Sequence, residues 1–341
     1  MELDIMTGGL PLRRMQDLAR DAADAGISGL VITESGRTAY LACAAAALAA
    51  DIDILTGVAV AFPRSPMVTA SNAWELAETS GGRFRLGLGT QVKAHVVRRY
   101  GSDFEHPGPR LKEHVEAIRA CFAAFKGGPL AYEGEFVNLS LLPPGWSPGP
   151  IGVPDPPIDV AAVNPWMLRM AGEVADGVHV HPLNTVPYLQ QTLLPELAAG
   201  AATAGRSVDD LAVIIPTFAA PGDSPKQIDA LREMARMQVA FYGSTPNYGF
   251  IFEQLGRPET TPAIREKQKA GDIAGMASCI DDEILDHFCT SGDWATVTDR
   301  LIERYRGTAT RVVSYFAGGS WARDEKALGP WGEMAAALCS A

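Results

Sequence analysis

The sequence predicts a (β/α)8 barrel, in which eight parallel strands alternate with helices around a closed ring. Short apolar segments rich in valine and isoleucine alternate with helical segments along all 341 residues, without a repeat or a linker. Residues 157–182 place a strand, a helix and a second strand in about 25 residues, which is the βαβ unit of a parallel sheet. A doubly wound open sheet is the alternative, but it usually has fewer strands than this chain provides.

The predicted elements alternate regularly except in two places. The strands cover residues 3–7, 29–33, 52–61, 83–89, 158–163, 178–181, 211–218 and 311–316. Segments with helical apolar spacing cover residues 12–25, 38–50, 65–80, 92–99, 110–125, 165–175, 186–204, 225–242, 282–288 and 294–305. We expect one domain over residues 1–341 with two insertions, about 131–150 and about 245–280, and a peripheral tail after Gly318.

Composition and charge exclude several classes of function. The chain has 29 Lys and Arg against 40 Asp and Glu, and this net charge of −11 disfavours non-specific binding to nucleic acid or an anionic membrane. Five widely spaced cysteines without a C-x-x-C pair indicate reduced thiols. The amino terminus is acidic, unlike a signal peptide, and the longest apolar run is too short to span a bilayer. We therefore expect a cytoplasmic protein that acts on a small molecule.

Two glycine-containing motifs do not indicate the functional sites with which they are usually associated. The run from Gly87 to Thr90 lacks the third glycine of a dinucleotide-binding loop and lies on a strand, so its glycines indicate close approach of a ligand or backbone at the barrel rim. Residues 145–149 match G-x-S-x-G, but they lie among prolines instead of between a strand and a helix. They predict a turn-rich loop.

Two histidines end the sixth predicted strand. His179 and His181 are two residues apart and therefore project from the same face of the strand. They could bind a metal, although no third ligand is near in sequence, or they could pack together in the core. The favoured interpretation is that one or both contact a ligand at the rim, with His181 nearest the strand end. We expect no metal site.

Other candidate ligand-binding groups lie at strand ends and helix starts. Asn164-Pro165 predicts an N-cap followed by proline at the first helical position, and the free backbone N–H groups there suit an anion. Glu34 is a candidate general base or ligand hydrogen-bond acceptor, or else it caps the next helix near Thr38. Four basic residues either gather over an anion or solvate helix faces: Arg64, Lys93, Arg98 and Arg99.

Three blocks of sequence resemble the luciferase-like monooxygenase superfamily, and most of all its branch of deazaflavin (coenzyme F420)-dependent oxidoreductases. The blocks are AVAFPRSPMVTASNAWELAETSGGRFRLGLGT, GTQVKAHVVRRYG and AAVNPWMLRMAGEVADGVHVHP, and the likeness covers about residues 1–320. This resemblance implies a barrel that holds its cofactor, F420 or alternatively FMN, across the carboxyl ends of its strands. It also implies a homodimer.

The resemblance further implies roles for individual residues. The phosphate-binding stretch falls on Ala162, Val163 and Asn164, with His181 on the opposite side. We expect His179 to contact the cofactor as well. A non-prolyl cis peptide behind the cofactor ring falls at Ala59-Val60. Glu34, Gly89 and Thr90 would line the ring and its ribityl chain. Beyond the resemblance, we expect Glu34 or Thr90 to assist protonation.

One departure from the family narrows the expected reaction. Sugar-phosphate dehydrogenases of the superfamily carry a His after the acid of strand two and a Glu after the glycine of strand four, where this chain has Ser35 and Thr90. A sugar dehydrogenase is therefore not expected. We expect hydride transfer between F420 and a small organic substrate, such as reduction of a C=C or C=N bond or the reverse. The alternatives are an FMN-dependent two-component monooxygenase and a non-catalytic flavin-binding barrel.

Overall fold

Eight parallel strands close into a barrel, which confirms the predicted fold class. The protein is described by a computed structural model of residues 1–341. Its strands are β1 (Glu2–Gly8), β2 (Gly29–Thr33), β3 (Asp53–Thr56), β4 (Ala59–Val60), β5 (Phe84–Gly89), β6 (Tyr132–Glu133), β7 (Asn138–Leu139), β8 (Ile158–Ala162), β9 (Gly177–Val180), β10 (Ala212–Pro221), β11 (Cys289–Gly292) and β12 (Arg311–Ser314). The ring runs β1-β2-β3-β5-β8-β9-β10-β12 and closes between β12 and β1.

Helices surround this ring and follow most of the barrel strands. They are α1 (Leu12–Asp24), α2 (Ala39–Ala47), α3 (Pro66–Thr79), α4 (Lys93–Arg98), α5 (Pro107–Phe125), α6 (Pro165–Val174), α7 (Val186–Tyr188), α8 (Leu194–Thr203), α9 (Pro225–Gly243), α10 (Gly249–Gln254), α11 (Thr260–Lys269), α12 (Ile273–Ser278), α13 (Asp282–Phe288), α14 (Trp294–Tyr305), α15 (Ala317–Arg323) and α16 (Gly329–Cys339). Ser65, Asn164 and Ser224 cap helices whose first residue is proline, as the sequence signals indicate. None of these helices is both long and apolar enough to cross a bilayer.

Three details differ from the sequence-based expectation. The third strand is interrupted after Thr56 and resumes at β4, which pairs with the end of β5. β11 was not predicted because Cys-Thr-Ser-Gly is neither apolar nor alternating, and it forms by pairing with the far end of β10. The tail after Gly318 is not peripheral, because Trp321 and Trp331 are buried in the main core.

The chain between β10 and α14 extends one side of the barrel. β10 is ten residues long and continues past its pairing with β12, and β11 pairs only with this extension. Helix α9 packs on both strands, and α11, α12 and α13 pack on α9. The segment 245–280 is therefore a set of short helices supported by α9.

The amino-terminal end of the barrel is closed by buried ion pairs. Arg311 donates to both carboxylate oxygens of Asp4 at 2.7 Å and to Asp53 at 2.9 Å. Arg85 makes a second two-point ion pair with Asp159, at 2.6 and 2.9 Å. Apolar side chains fill the next level of the interior: Val31, Leu55, Ile214 and Val313. A ligand therefore has access to the barrel interior from the carboxyl-terminal end.

The ion pair at Arg311 gives a testable consequence for stability. We expect Arg311→Met to lower the free energy of unfolding by about 3–5 kcal/mol, because it leaves the fully buried Asp4 without its partner. The control is Arg83→Met, whose partner Asp51 is 92% exposed, and which should change stability by less than about 1 kcal/mol. Urea unfolding of both variants measures the difference. Equal losses would contradict a structural role for the buried pair.

Candidate active site

The carboxyl-terminal end of the barrel is an open mouth. Inward-facing positions at the strand ends keep partial exposure there: Gly8, Thr33, Gly57, Val163, His181 and Tyr315. Small residues line the side formed by β1, β3 and β5, whereas aromatic side chains line the side formed by β9, β10 and β12. The mouth therefore has one flat wall of backbone and one aromatic wall.

The flat wall is built by a close approach of two strands. The peptide bond between Gly57 and Val58 is cis, and the Val58 side chain lies across β5. A Cβ atom at Gly89 would lie 2.7 Å from Val58 Cγ2, closer than side-chain contacts allow, so only glycine fits this position without a shift. The prediction of a cis bond at Ala59-Val60 is wrong by two residues, because the chain must turn between the end of β3 and the resumed pairing of β4.

The backbone behind this wall is held by Glu34. Its carboxylate accepts hydrogen bonds from the Val60 amide at 2.8 Å and from the Arg64 guanidinium at 2.9 Å, and its side chain is 3% exposed. The same guanidinium donates to the Val60 carbonyl and to the Thr38 hydroxyl. Glu34 therefore positions β4, while Ala59 and Val60 are buried behind the wall. It neither caps the helix at Thr38 nor presents a free carboxylate to the mouth.

The remaining polar candidates on this side are separated from one another. Thr90 follows β5 and is partly exposed, so its hydroxyl is available to a ligand. Arg99 donates to the Ser35 carbonyl, and Lys93 lies 3.8 Å from Glu105. With Arg64 paired to Glu34, the four basic residues do not gather over one anion.

The turn between β8 and α6 leaves backbone donors free. Ala162 pairs with Val180 of β9, after which the amides of Val163 and Asn164 donate to no other group in the chain. The Asn164 side chain accepts from the Met167 amide at 3.0 Å, and the Tyr188 hydroxyl donates to the Val163 carbonyl at 2.8 Å. The turn is thus fixed in place with two N–H groups available at a helix start, an arrangement that suits an anion.

His181 faces the mouth as a hydrogen-bond donor. The Leu183 amide donates to its Nδ1 at 3.0 Å, so the proton of the neutral ring resides on Nε2. The ring lies between Tyr242 and Tyr248, with ring centroids 4.7 and 4.5 Å away. Burial among these rings lowers the pKa of His181 and keeps the ring neutral.

His179 lies one level below the mouth. It is 5% exposed, its Nε2 has no hydrogen-bond partner, and that atom is 3.9 Å from Asp159. A Cβ atom at Gly87 would lie 2.5 Å from the same nitrogen, so the ring fills the space that this glycine leaves. Burial lowers the pKa of His179 to about 4, and Asp159 opposes the shift only in part. The structure therefore brings His181 to the rim and keeps His179 in the interior, with no cluster of three or more metal-ligating side chains.

Sequence reasoning missed the aromatic wall. Tyr242 and Tyr315 share a hydrogen bond of 2.7 Å between their hydroxyls, and Tyr315 packs edge-on against Phe218. Tyr242 and Tyr248 come from the region after β10, whose distance from β9 in sequence hides their contact with His181. The inward direction of Tyr315 could have been predicted, because Tyr315 follows Arg311 and Val313 at the spacing of two residues that places strand side chains on one face.

The closed barrel with its open carboxyl-terminal mouth is a (β/α)8 fold, and similarity to the reductases named below makes the protein an oxidoreductase built on that fold. The sequence profile described as luciferase-like monooxygenase matches residues 2–311, so the chain belongs to the luciferase-like monooxygenase family. This confirms the resemblance seen in the sequence.

Two of the proteins to which this chain is similar are named as reductases. The chain is 32% identical to 5,10-methylenetetrahydromethanopterin reductase of Archaeoglobus fulgidus, over 79% of this chain and 77% of that protein. It is 35% identical to an uncharacterised protein of Mycobacterium tuberculosis, over 92% and 94% of the two chains. The solved structure of coenzyme F420-dependent tetrahydromethanopterin reductase from Methanopyrus kandleri superimposes with a TM-score of 0.78 and 25% identity, covering 98% and 97% of the two chains.

The buried state of His179 predicts a pH dependence of stability. The pKa of this ring is about 4 in the folded chain and 6.5 as its ordinary value, so between these pH values the unfolded chain binds more protons. Stability therefore falls as the pH drops from 6.5 towards 4. Between pH 7.5 and pH 5, we expect the wild-type protein to lose about 2 kcal/mol more than His179→Gln in urea unfolding. The buried His114 is present in both proteins and cancels in the comparison, so identical losses would contradict the assignment.

Proposed function

We propose that the chain is an F420-dependent oxidoreductase that transfers a hydride between the deazaflavin and a small organic substrate. The observation that carries this proposal is the juxtaposition at one mouth of a flat backbone wall, free turn amides and the Nε2–H of His181. A flat surface suits a planar ring, and N–H donors suit a phosphate on its side chain. When bound, the deazaflavin supplies or accepts the hydride.

The chain's own residues would bind and orient this cofactor. Gly57-Val58 and Gly89 would hold the ring, and the amides of Val163 and Asn164 together with His181 would donate hydrogen bonds to the phosphate. The Thr90 hydroxyl is free to bond the ring or its ribityl chain. Glu34 is a positioning residue, because its carboxylate is already occupied by Val60 and Arg64. We therefore assign proton donation to a group that still carries a proton, such as the Thr90 hydroxyl, instead of to Glu34.

The named relatives support a reduction, because both are named as reductases and the solved structure is described as coenzyme F420-dependent. We propose reduction of a C=C or C=N bond, or the reverse reaction, since hydride transfer requires an electron-poor carbon about 3–3.5 Å from the donor. An FMN-dependent monooxygenase is the second candidate, because the family profile is described as luciferase-like monooxygenase and the flat wall would also accept an isoalloxazine ring.

The flat wall gives the first test of the cofactor site. We expect Gly89→Leu to weaken F420 binding at least a hundredfold, because the new side chain must occupy the space between Val58 and Ala161. Gly145→Leu, at a glycine with open space around it, is the matched control and should leave the affinity unchanged. Fluorescence titration with F420 and separately with FMN measures both affinities, and circular dichroism verifies the fold. Unchanged F420 affinity in Gly89→Leu would place the ring elsewhere, and tighter binding of FMN than of F420 would favour the monooxygenase.

We also propose that the protein forms a homodimer through the outer face of α2 and α3. Helix α2 is apolar on every side, and its outward residues are largely exposed: Leu41 at 58% and Leu48, at its end, at 73%. Val68 of the neighbouring α3 is 50% exposed. Exposed apolar side chains on neighbouring helices are typical of an interface, and two copies related by a two-fold axis would cover each other's side chains.

The proposed dimer face can be tested by adding charge. We expect the double variant Leu41→Glu/Leu48→Glu to be monomeric and the wild-type protein dimeric, because four carboxylates would face one another in the interface. Ile273→Glu, at a residue of α12 that is 61% exposed, should leave the dimer intact. Size-exclusion chromatography with light scattering measures the mass. A dimer that survives the double substitution, or a monomeric wild-type protein, would contradict the proposed interface.

A further inference from the structure

We propose that the aromatic wall of the mouth is the substrate subsite, in which the hydroxyl pair of Tyr315 and Tyr242 binds the single hydrogen-bond acceptor of a flat, largely apolar substrate. The exposed face of α9 beside this pair would cover the apolar body of the same molecule. This inference rests on the proposed function, because the substrate must lie opposite the wall that holds the cofactor ring.

The hydroxyl pair is arranged to donate one hydrogen bond to a ligand. The two hydroxyl oxygens are 2.7 Å apart, and the Tyr315 hydroxyl also donates to Gln238 Oε1 over a long 3.4 Å. If the Tyr315 proton is directed to Gln238, Tyr242 must be the donor to Tyr315. A ligand acceptor can therefore replace Gln238 with little loss, and the bond from Tyr242 makes the Tyr315 proton a stronger donor.

Burial also keeps both hydroxyls protonated. It raises the pKa of Tyr242 and of Tyr315, so both rings are neutral donors throughout the ordinary pH range. Tyr242 additionally packs against His181, which holds its ring at the border between the cofactor turn and the aromatic wall. The pair therefore lies next to the groups proposed to bind the cofactor.

Helix α9 supplies the apolar part of the subsite. Met234, Gln238 and Phe241 are spaced i, i+4 and i+7, so they share one face of the helix. The hydrogen bond from Tyr315 to Gln238 shows that this face borders the mouth. Met234 is 38% and Phe241 59% exposed, although both are large apolar side chains. Because Gln238 on this face bonds Tyr315 of the mouth, we assign the face to the apolar part of the substrate.

The chemistry of this wall selects a class of substrate. A flat conjugated ketone or imine has an apolar body for α9 and one acceptor atom for Tyr315. A molecule with many hydroxyls or a phosphate would bury polar groups without partners against Met234 and Phe241, which is unfavourable. The subsite therefore favours an aromatic or conjugated carbonyl or imine compound over a sugar or a sugar phosphate.

The test uses acetophenone, a flat ketone with one acceptor, as a binding probe on the full-length protein with and without F420. Isothermal titration measures its dissociation constant. We expect Tyr315→Phe to weaken acetophenone binding at least fivefold and Tyr242→Phe about two- to threefold, because the second variant removes only the support of the donor. Tyr305→Phe is the matched control, since this buried hydroxyl bonds Thr217 on the same side of the barrel but does not face the mouth.

The apolar part has its own pair of variants. Phe241→Ala should weaken acetophenone binding several-fold. Trp146→Ala should not, because Trp146 is an exposed aromatic side chain (81%) in the segment between β7 and β8 and is not part of the proposed subsite. Glucose 6-phosphate should not bind the aromatic wall or compete with acetophenone.

The outcomes separate this inference from the proposed function. Unchanged binding in Tyr315→Phe and Tyr242→Phe, or no acetophenone binding to the wild-type protein, would overturn the subsite while F420 binding stood. Failure to bind F420, with acetophenone binding that still depends on Tyr315, would overturn the proposed cofactor and leave the subsite in place.

Discussion

The close approach of Val58 to Gly89 is the constraint on which the mouth of this barrel depends. Because Gly89 has no side chain, the backbone after β3 can lie across the end of β5 and form a flat surface. The Glu34 carboxylate fixes that backbone by bonding both the Val60 amide and the Arg64 guanidinium. A residue that resembles a catalytic acid in sequence thus serves to hold the surface on which a ring can lie.

The groups that stabilise the barrel lie at its amino-terminal end, and the groups proposed to bind ligands lie at its carboxyl-terminal end. At the amino-terminal end, Arg311 and Arg85 are paired with buried carboxylates and close the interior. At the carboxyl-terminal end, the unpaired groups are the turn amides, the Thr90 hydroxyl and the Nε2–H of His181. Polar groups without internal partners are expected where a ligand supplies the partners, and they lie at the end of the barrel where ligands bind in this fold.

The local elements of this fold were largely predictable from the sequence, because apolar periodicity and helix caps act over short distances. The N-cap at Asn164 and the inward direction shared by His179 and His181 are examples, and both follow from backbone geometry alone. The depth of each histidine was not predictable in this way. It depends on Gly87, which lies on another strand and leaves room for the His179 ring.

The contacts that sequence reasoning missed are those made between distant segments. Arg64 binds the Glu34 carboxylate, so this carboxylate is not free at the mouth. The position of Arg64 in the sequence did not indicate that Glu34 is its partner. Tyr242, in the last turn of α9, packs against His181, which follows β9, although β10 lies between them in the sequence. Strand β11 shows the same effect, since its residues have no strand pattern of their own and pair only because β10 extends beyond β12.

A crystal structure of the chain with bound F420 is the most direct measurement of the central claim. We expect the cofactor ring on the Gly57-Val58 surface and its phosphate within hydrogen-bond distance of the Val163 and Asn164 amides and of His181 Nε2. A phosphate bound away from that turn, or a ring that does not contact the flat wall, would contradict it.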